Sequence, residues 1–166
     1  MQGASGSIET REESHLDYSA RELFRRRYGS PAPDFPYHVV TWLLNAEDDT
    51  GVPACYIHFT AHGDALLGGG ACVDPRAMRR MPSGLRQSIK AQGGLYQLSL
   101  AWSLQHFSGR FKAVFGYCGD ALAERVDRAV GFVDTGHKHL LVYWLDSCDP
   151  ATRARLIAEA HAVGPF

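Results

Sequence analysis

The segment from Lys112 to Leu145 constrains the fold most, because strand and helix patterns follow one another in it without a break. Lys112–Cys118 is apolar and rich in residues that favour β-strands. Asp120 is suited to cap a helix, since its carboxylate can accept the first unpaired backbone N–H groups. Ala121–Val130 predicts a helix that ends at Gly131. Its predicted apolar face consists of the residues at helical spacing, Leu122, Val126, Ala129 and Val130.

The rest of the chain gives an α+β order of elements. Further helices are predicted over Leu16–Tyr28 and Leu95–Phe107 and from Asp149 onward. Further strands are predicted over Tyr37–Asn45, Pro53–Ala61, Ala65–Val73, Phe132–Thr135 and His139–Leu145. Residues 1–15 are small and polar, which predicts a flexible N-terminus, and residues 16–166 are expected to form a single domain. Short connections between the first three strands favour an antiparallel meander.

The composition argues against several classes of protein. Apolar residues make up 45% of the 166 residues and charged residues 21%, and the net charge is −1, so no overall basic field favours polyanions. No apolar run approaches the roughly 20 residues of a membrane span, and the first residues lack the basic and apolar regions of a signal peptide. The four cysteines form no CxxC pair, which favours reduced thiols in a cytoplasmic protein.

Two groups of glycines suggest close contacts. Gly68–Gly70 lies inside a predicted strand, where glycine indicates a bulge or the close approach of a ligand or of another backbone segment. Asp74–Gln92 is basic and is interrupted by two prolines, so it predicts no continuous element. Gly93 and Gly94 follow it and precede a strong helix. A glycine pair that opens a helix after basic residues suits an anion; a plain helix start is the alternative.

The order of these elements resembles that of the Gcn5-related N-acetyltransferases (GNAT superfamily) over roughly Tyr18–Leu145. Many GNAT enzymes have an Asn, an Ala three residues later, a Tyr four residues after that, and a Gly-Phe pair that ends the helix. The same register here holds Asp120, Ala123, Asp127 and Gly131-Phe132, with Asp in place of both the Asn and the Tyr that is the usual general acid. The resemblance implies a three-layer fold with a mixed, mainly antiparallel sheet, a central β-α-β step and flanking helices.

A second GNAT signature, Arg/Gln-x-x-Gly-x-Gly/Ala, binds the pyrophosphate of coenzyme A after the fourth strand. Lys90–Leu95 is the most similar stretch at a helix start. Val73–Pro75, followed by Arg79 and Arg80, resembles the run that leads into that loop. The resemblance implies acetyl-CoA or another acyl-CoA as co-substrate and no metal. The residues that it implies for binding this co-substrate are Ala71, Cys72, Val73, Arg79, Arg80, Gln92, Gly93, Gly94, Asp120 and Ala123.

Acyl transfer to an amine needs a base for the amine proton, donors for the oxyanion and a proton for the leaving thiolate. Tyr117 is a candidate donor to that thiolate or an ordinary strand aromatic. Cys118 is a candidate nucleophile, if the following helix lowers its pKa, or a buried structural thiol. Asp127 is a candidate acid, if burial raises its pKa, or a solvated helix carboxylate. His58 is a candidate base or a satisfied structural histidine.

Three hypotheses about function follow from the resemblance. The first is an acyltransferase that moves an acyl group, acetyl above all, from acyl-CoA to an amine of a small molecule or a protein, directly rather than through a Cys118 acyl-enzyme. For this, the strands ending at Val73 and Cys118 must splay apart. The second is a GNAT-like binding module without chemistry that acts through the basic segment 76–90, with nucleic acid as a candidate partner. The third is a transferase that uses an acyl carrier protein or an aminoacyl-tRNA as donor.

Overall fold

The computed structural model describes residues 6–34, 36–47 and 50–166. The strands found there are β1 (Gly6–Glu13), β2 (Tyr37–Asn45), β3 (Gly51–His62), β4 (Ala65–Val73), β5 (Ala113–Tyr117), β6 (Val133–Asp134) and β7 (Leu140–Trp144). The helices are α1 (Tyr18–Tyr28), α2 (Pro75–Arg80), α3 (Ser83–Ala91), α4 (Leu95–Phe107), α5 (Ala121–Val130) and α6 (Pro150–Val163). None of these helices is both long and apolar enough to cross a bilayer.

The strands form one sheet in the order β1-β2-β3-β4-β5-β7-β6. β4 and β5 are parallel, and Ala65–Gly68 pairs with Ala113–Gly116. β5 is antiparallel to β7, and β7 is antiparallel to β6. The predicted α+β fold, with a mixed and mainly antiparallel sheet, a central β-α-β step and flanking helices, is confirmed. The connection from β4 to β5 contains α2, α3 and α4, whereas the sequence predicted one helix there.

The N-terminal segment forms a strand. β1 pairs antiparallel with β2 from Gly6 opposite Asn45 to Glu13 opposite His38. The prediction of a flexible N-terminus over residues 1–15 is therefore wrong for Gly6–Glu13; residues 1–5 lie outside the described residues. The polar composition misled the prediction because β1 is an edge strand with alternately exposed side chains, so few of them need to be apolar. Trp42 Nε1–H donates a hydrogen bond of 2.7 Å to the Glu13 carboxylate and fixes the end of the strand.

The basic segment forms two short helices, α2 and α3. Asp74 caps α2, since its carboxylate accepts a hydrogen bond of 2.9 Å from Arg76 N–H, and Pro75 occupies the first position of the helix. Only Ala77 of α2 and Ile89 of α3 are buried. With so few buried residues the two helices show no helical periodicity in the sequence. Asp74-Pro75 is nevertheless a pattern typical of a helix start, and the sequence contained it.

The chain divides into two compact units, each with its own core. The first unit comprises the described part of residues 1–58 together with Gly70–Ser99. Its core contains Leu16, Ala20, Leu23, Phe24, Val40, Trp42, Tyr56 and Cys72. The second unit comprises Phe59–Gly69 and Leu100–Phe166, and its core contains Ala65, Leu67, Ala113, Phe115, Leu140, Val142, Leu156 and Ala160. The single domain predicted for residues 16–166 stays a prediction.

Candidate active site

β4 continues past its ladder with β5, and the continuation carries three residues predicted to bind the co-substrate. The ladder ends at Gly68, whereas the strand runs on to Val73. The carbonyl oxygen of Ala71 accepts a hydrogen bond of 2.9 Å from the Tyr28 hydroxyl. The Cys72 thiol lies in the core of the first unit, where burial raises its pKa to about 11. Because the Cys72 side chain belongs to the core, a co-substrate would contact this residue through its backbone.

Gly70 lies against the side chains of Tyr28 and His58. His58 Nε2 accepts a hydrogen bond of 3.0 Å from Gly70 N–H. A Cβ atom at position 70 would lie 2.6 Å from the Tyr28 hydroxyl oxygen and 3.2 Å from His58 Cε1, and the first of these distances is too short for a real contact. Close approach therefore explains this glycine of the Gly68–Gly70 triplet, and the approaching side chains belong to the chain itself.

His58 is neutral at physiological pH. The residue is 7% exposed, and burial lowers the pKa of its imidazole to about 4. Since Nε2 accepts the Gly70 N–H, the proton of the neutral ring is assigned to Nδ1. A general base needs a neutral ring with an available lone pair. The ring of His58 meets the first condition, but its Nε2 lone pair is engaged by Gly70.

The contact between Gly70 and Tyr28 can be tested by a double-mutant cycle. Gly70→Ala should lower the free energy of unfolding by about 2 kcal/mol, because the added methyl group displaces the Tyr28 ring. In a Tyr28→Ala background the same change should cost less than about 1 kcal/mol. Urea unfolding of the four proteins measures both costs.

Gly119→Ala is the matched control, because a Cβ atom there would meet nothing within 4 Å. It should change the free energy of unfolding by no more than about 0.5 kcal/mol. Equal costs of Gly70→Ala in the presence and absence of the Tyr28 ring would contradict the steric explanation.

The N–H groups of Gln92, Gly93 and Gly94 donate to carbonyl oxygens in the last turn of α3. Both glycines have left-handed backbones, with φ of 96° and 99°. They therefore cap the end of α3, a role for which glycine is favoured. These three N–H groups are not the unpaired donors that the sequence predicted for an anion, since the pattern of two glycines before a helix did not reveal that another helix ends there.

The start of α3 offers an alternative position for an anion. The helix begins at Ser83 after Pro82, and no side chain caps it, although the first N–H groups of a helix lack partners within the helix. Arg79 and Arg80, at the end of α2, are exposed. The spacing Arg79-x-x-Pro82-x-Gly84 matches that of the GNAT pyrophosphate signature, with proline at the first glycine position. That proline concealed the match in the sequence.

Cys118 and Asp127 form a buried pair in the second unit. The Cys118 thiol donates a hydrogen bond of 2.7 Å to Asp127 Oδ2, and the two residues are 6% and 4% exposed. Burial, and then the Asp127 carboxylate, raise the pKa of the Cys118 thiol, which is the opposite of the decrease expected for a nucleophile before a helix. Asp127 is not the solvated helix carboxylate of the alternative prediction. Gly116 leaves room for it, since a Cβ atom there would lie 3.1 Å from Oδ2.

The other predicted residues of the second unit have local roles. The Tyr117 ring is partly buried and lies 5.9 Å from the Phe166 ring, centroid to centroid. The Asp120 carboxylate accepts a hydrogen bond of 3.0 Å from Leu122 N–H, so it caps α5 as predicted. Ala123 is partly buried on the same helix. The roles of these residues in binding acyl-CoA stay predictions.

No model of a known protein family matches this chain, and no curated protein matches it. Solved structures do match it. The ribosomal-protein-S18-alanine N-acetyltransferase of Escherichia coli gives a TM-score of 0.51 at 12% identity, over 88% of this chain and 97% of that chain. The E. coli protein YhhK bound to coenzyme A gives a TM-score of 0.53 at 14% identity, over 83% of this chain and 98% of that chain.

A third match has a co-substrate bound. A GNAT family acetyltransferase from Brucella melitensis in complex with acetyl-CoA gives a TM-score of 0.52 at 12% identity, over 87% of this chain and 92% of that chain. At such low identities the likeness establishes the fold and not the activity. This chain has the GNAT fold, as the order of its elements predicted.

Proposed function

We propose that the protein is an N-acyltransferase that moves an acyl group, acetyl above all, from acyl-CoA to an amine. The observation that carries the proposal is the extension of β4 beyond its ladder with β5, from Gly69 to Val73, within a GNAT fold. A strand segment beyond its ladder can pair with an extended ligand through backbone hydrogen bonds. The pantetheine arm of coenzyme A is extended and carries amide groups that suit such pairing.

The phosphates of the co-substrate are assigned to the start of α3. Arg79 and Arg80 supply positive charge, and the N–H groups of Ser83 and Gly84 belong to the first turn of the helix. Backbone donors, the positive end of a helix and guanidinium groups together favour a phosphate. This assignment replaces the predicted phosphate site at Gln92–Gly94, because the N–H groups there already donate to carbonyl oxygens of α3.

The chemistry that we assign is direct transfer. The neutral amine attacks the thioester carbonyl, a C–N bond forms, the C–S bond breaks, and the amine proton passes to a base or to water. The leaving thiolate takes a proton, for which Tyr117 is our candidate donor. We assign Cys118 no nucleophilic role. Its thiol is buried and donates a hydrogen bond to Asp127, and its pKa is raised.

Calorimetric titration with acetyl-CoA tests the proposal. The unmodified protein should bind acetyl-CoA, and the double variant Arg79→Gln, Arg80→Gln should bind at least about 10-fold more weakly, because two charge-assisted contacts are lost. Arg125→Gln, an exposed change on α5, is the matched control and should leave the affinity unchanged. No binding at millimolar acetyl-CoA would overturn the proposed function. Unchanged binding by the double variant would overturn only the phosphate assignment.

Two observations favour a binding module without chemistry as the second candidate. Gly70 N–H, a backbone donor on the extension of β4, already has His58 Nε2 as its acceptor. Asp127 occupies the register of the usual GNAT tyrosine but is turned toward Cys118. For this candidate, the calorimetric titration should detect no binding of acetyl-CoA. A pull-down with the whole protein as bait should retain a protein or nucleic-acid partner that binds the basic helices.

The third candidate is a transferase with an acidic macromolecular donor, and the exposed cations of α2 and α3 favour it. These residues are Arg76, Arg79, Arg80, Arg86 and Lys90. Surface cations attract phosphate-rich or acidic partners at low ionic strength. A transfer assay with an acetylated acyl carrier protein or an aminoacyl-tRNA in place of acetyl-CoA distinguishes this donor from the first.

A further inference from the structure

We infer that a cavity in the first unit, beside the start of α1, binds a small zwitterion that carries an ammonium group and a carboxylate. The cavity has a volume of about 330 Å³. The residues of its wall on which the inference rests are His15, Leu16, Tyr18, Arg21, Asp34 and His38. None of the residues that line the cavity is among those to which the acyl donor is assigned. The inference therefore does not depend on that assignment.

The wall carries one cation and one anion that form no ion pair with another residue that the structure describes. Arg21 is on α1 and Asp34 lies in the connection between α1 and β2, and neither forms an ion pair within the described part of the chain. The other two charged residues on the wall, Glu22 and Arg25, form an ion pair with each other, with Arg25 Nη2 2.7 Å from Glu22 Oε2. Arg21 is therefore the group for a ligand carboxylate and Asp34 the group for a ligand ammonium.

The floor of the cavity is polar and fixed. His38 is 4% exposed, and its Nδ1 lies 2.9 Å from the Tyr56 hydroxyl. Burial has the largest effect on the pKa of His38, and the charges of Asp34, His15 and Arg21, which line the same cavity, act on it as well. The net effect lowers that pKa, which disfavours a positive charge on the buried ring. An uncharged polar floor suits the middle of a zwitterion, where the net charge is small.

The size and the rim of the cavity limit the ligand further. Ligand pockets usually range from about 300 to 1,000 Å³, so this one suits an amino acid or a dipeptide. Tyr18, at the rim, is 78% exposed, and Leu16 lies on the wall. The exposed Tyr18 ring on the wall favours a ligand with an aromatic or apolar side chain.

NMR titration without any acyl donor tests the inference, using L-phenylalanine, the dipeptide Ala-Phe, and the N-acetyl and C-amide derivatives of each. At least one zwitterion should bind and shift the resonances of Arg21, Asp34 and His38. The N-acetyl derivative lacks the ammonium and the amide derivative lacks the carboxylate. Each should bind at least about 10-fold more weakly, the loss expected for one charged contact.

Two variants separate the two contacts. Asp34→Asn should abolish the preference for the free amine and keep the preference for the free carboxylate, and Arg21→Gln should do the reverse. Glu9→Gln and Arg125→Gln, both exposed and outside the cavity, are the controls and should keep both preferences. No binding of any zwitterion at about 10 mM, or equal binding of the blocked derivatives, would overturn the inference. Because acetyl-CoA is absent, failure here leaves the acyl-donor titration unaffected.

Discussion

Iodoacetamide at about pH 8 should alkylate Cys148 at least about 100 times faster than Cys118. The thiolate is the reacting species, and each unit of increase in a thiol pKa lowers the thiolate fraction about tenfold. Burial and the Asp127 carboxylate raise the pKa of Cys118. Cys118 is also 6% exposed, whereas Cys148 is partly exposed. Mass spectra of the cysteine-containing peptides over a time course give the two rates.

Asp127→Asn tests the cause of this protection. The variant removes the carboxylate charge and leaves the thiol buried, so Cys118 should react faster than in the unmodified protein but more slowly than Cys148. In concentrated urea the two cysteines should react at similar rates, which is the control for local sequence effects. Equal rates in the folded protein would contradict the buried pair and restore an acyl-enzyme on Cys118.

Local patterns predicted the bounds of several elements correctly. α5 spans Ala121–Val130 with Asp120 as its cap and Gly131 in a left-handed backbone at its end, because caps act on residues only a few positions away. The same helix shows the limit of local patterns. Leu122, placed on the predicted apolar face, is 64% exposed, whereas Asp127 is buried. Which face is buried depends on partners such as Cys118, whose contact with α5 is tertiary.

β1 shows how long-range pairing can decide an element. Its sequence, Gly6–Glu13, has few apolar residues, and its hydrogen bonds are made to β2. Thr10 and Thr41 face each other in that pair, with hydroxyl oxygens 2.8 Å apart. Such cross-strand pairs stabilise a sheet but are not visible in a single segment of sequence.

The candidate site could be predicted in its residue types but not in its contacts. The triplet Gly68–Gly70 indicated a close approach, but the sequence could not show that Tyr28 and His58 make it. In the same way, Gly93 and Gly94 indicated a helix boundary but not which helix uses their N–H groups. A glycine in the sequence indicates that a position needs space or an unusual backbone conformation. The tertiary structure determines which neighbouring group requires it.

The stability of the protein should fall steeply on acidification, and His58 should account for about 3 kcal/mol of that loss. Burial lowers the pKa of His58 from 6.5 to about 4 in the folded protein. Between these values the unfolded chain binds a proton that the folded chain does not. The contribution of His58 is therefore complete above pH 6.5 and is lost as the pH falls through about 4. Urea unfolding of the native protein and of His58→Gln across this window measures the difference.

His58→Gln and His58→Asn separate the titration from the hydrogen bond. Both variants lack the imidazole, so both should show a flatter dependence of stability on pH than the native protein. Only glutamine reaches the position of Nε2 and can accept the Gly70 N–H, so His58→Asn should be the less stable variant at neutral pH by about 1 kcal/mol. Burial also lowers the pKa of His38, and the charge of His38 in turn lowers the pKa of His58, so the difference between the native protein and either variant includes this interaction between the two imidazoles. Both variants keep the same His38, so its contribution cancels between them. The contrary result is that the free energies of unfolding of the native protein and of the variants fall in parallel from neutral pH to about pH 4. That result would show that His58 takes up a proton in the folded protein, and the Gly70 N–H would then lack this acceptor.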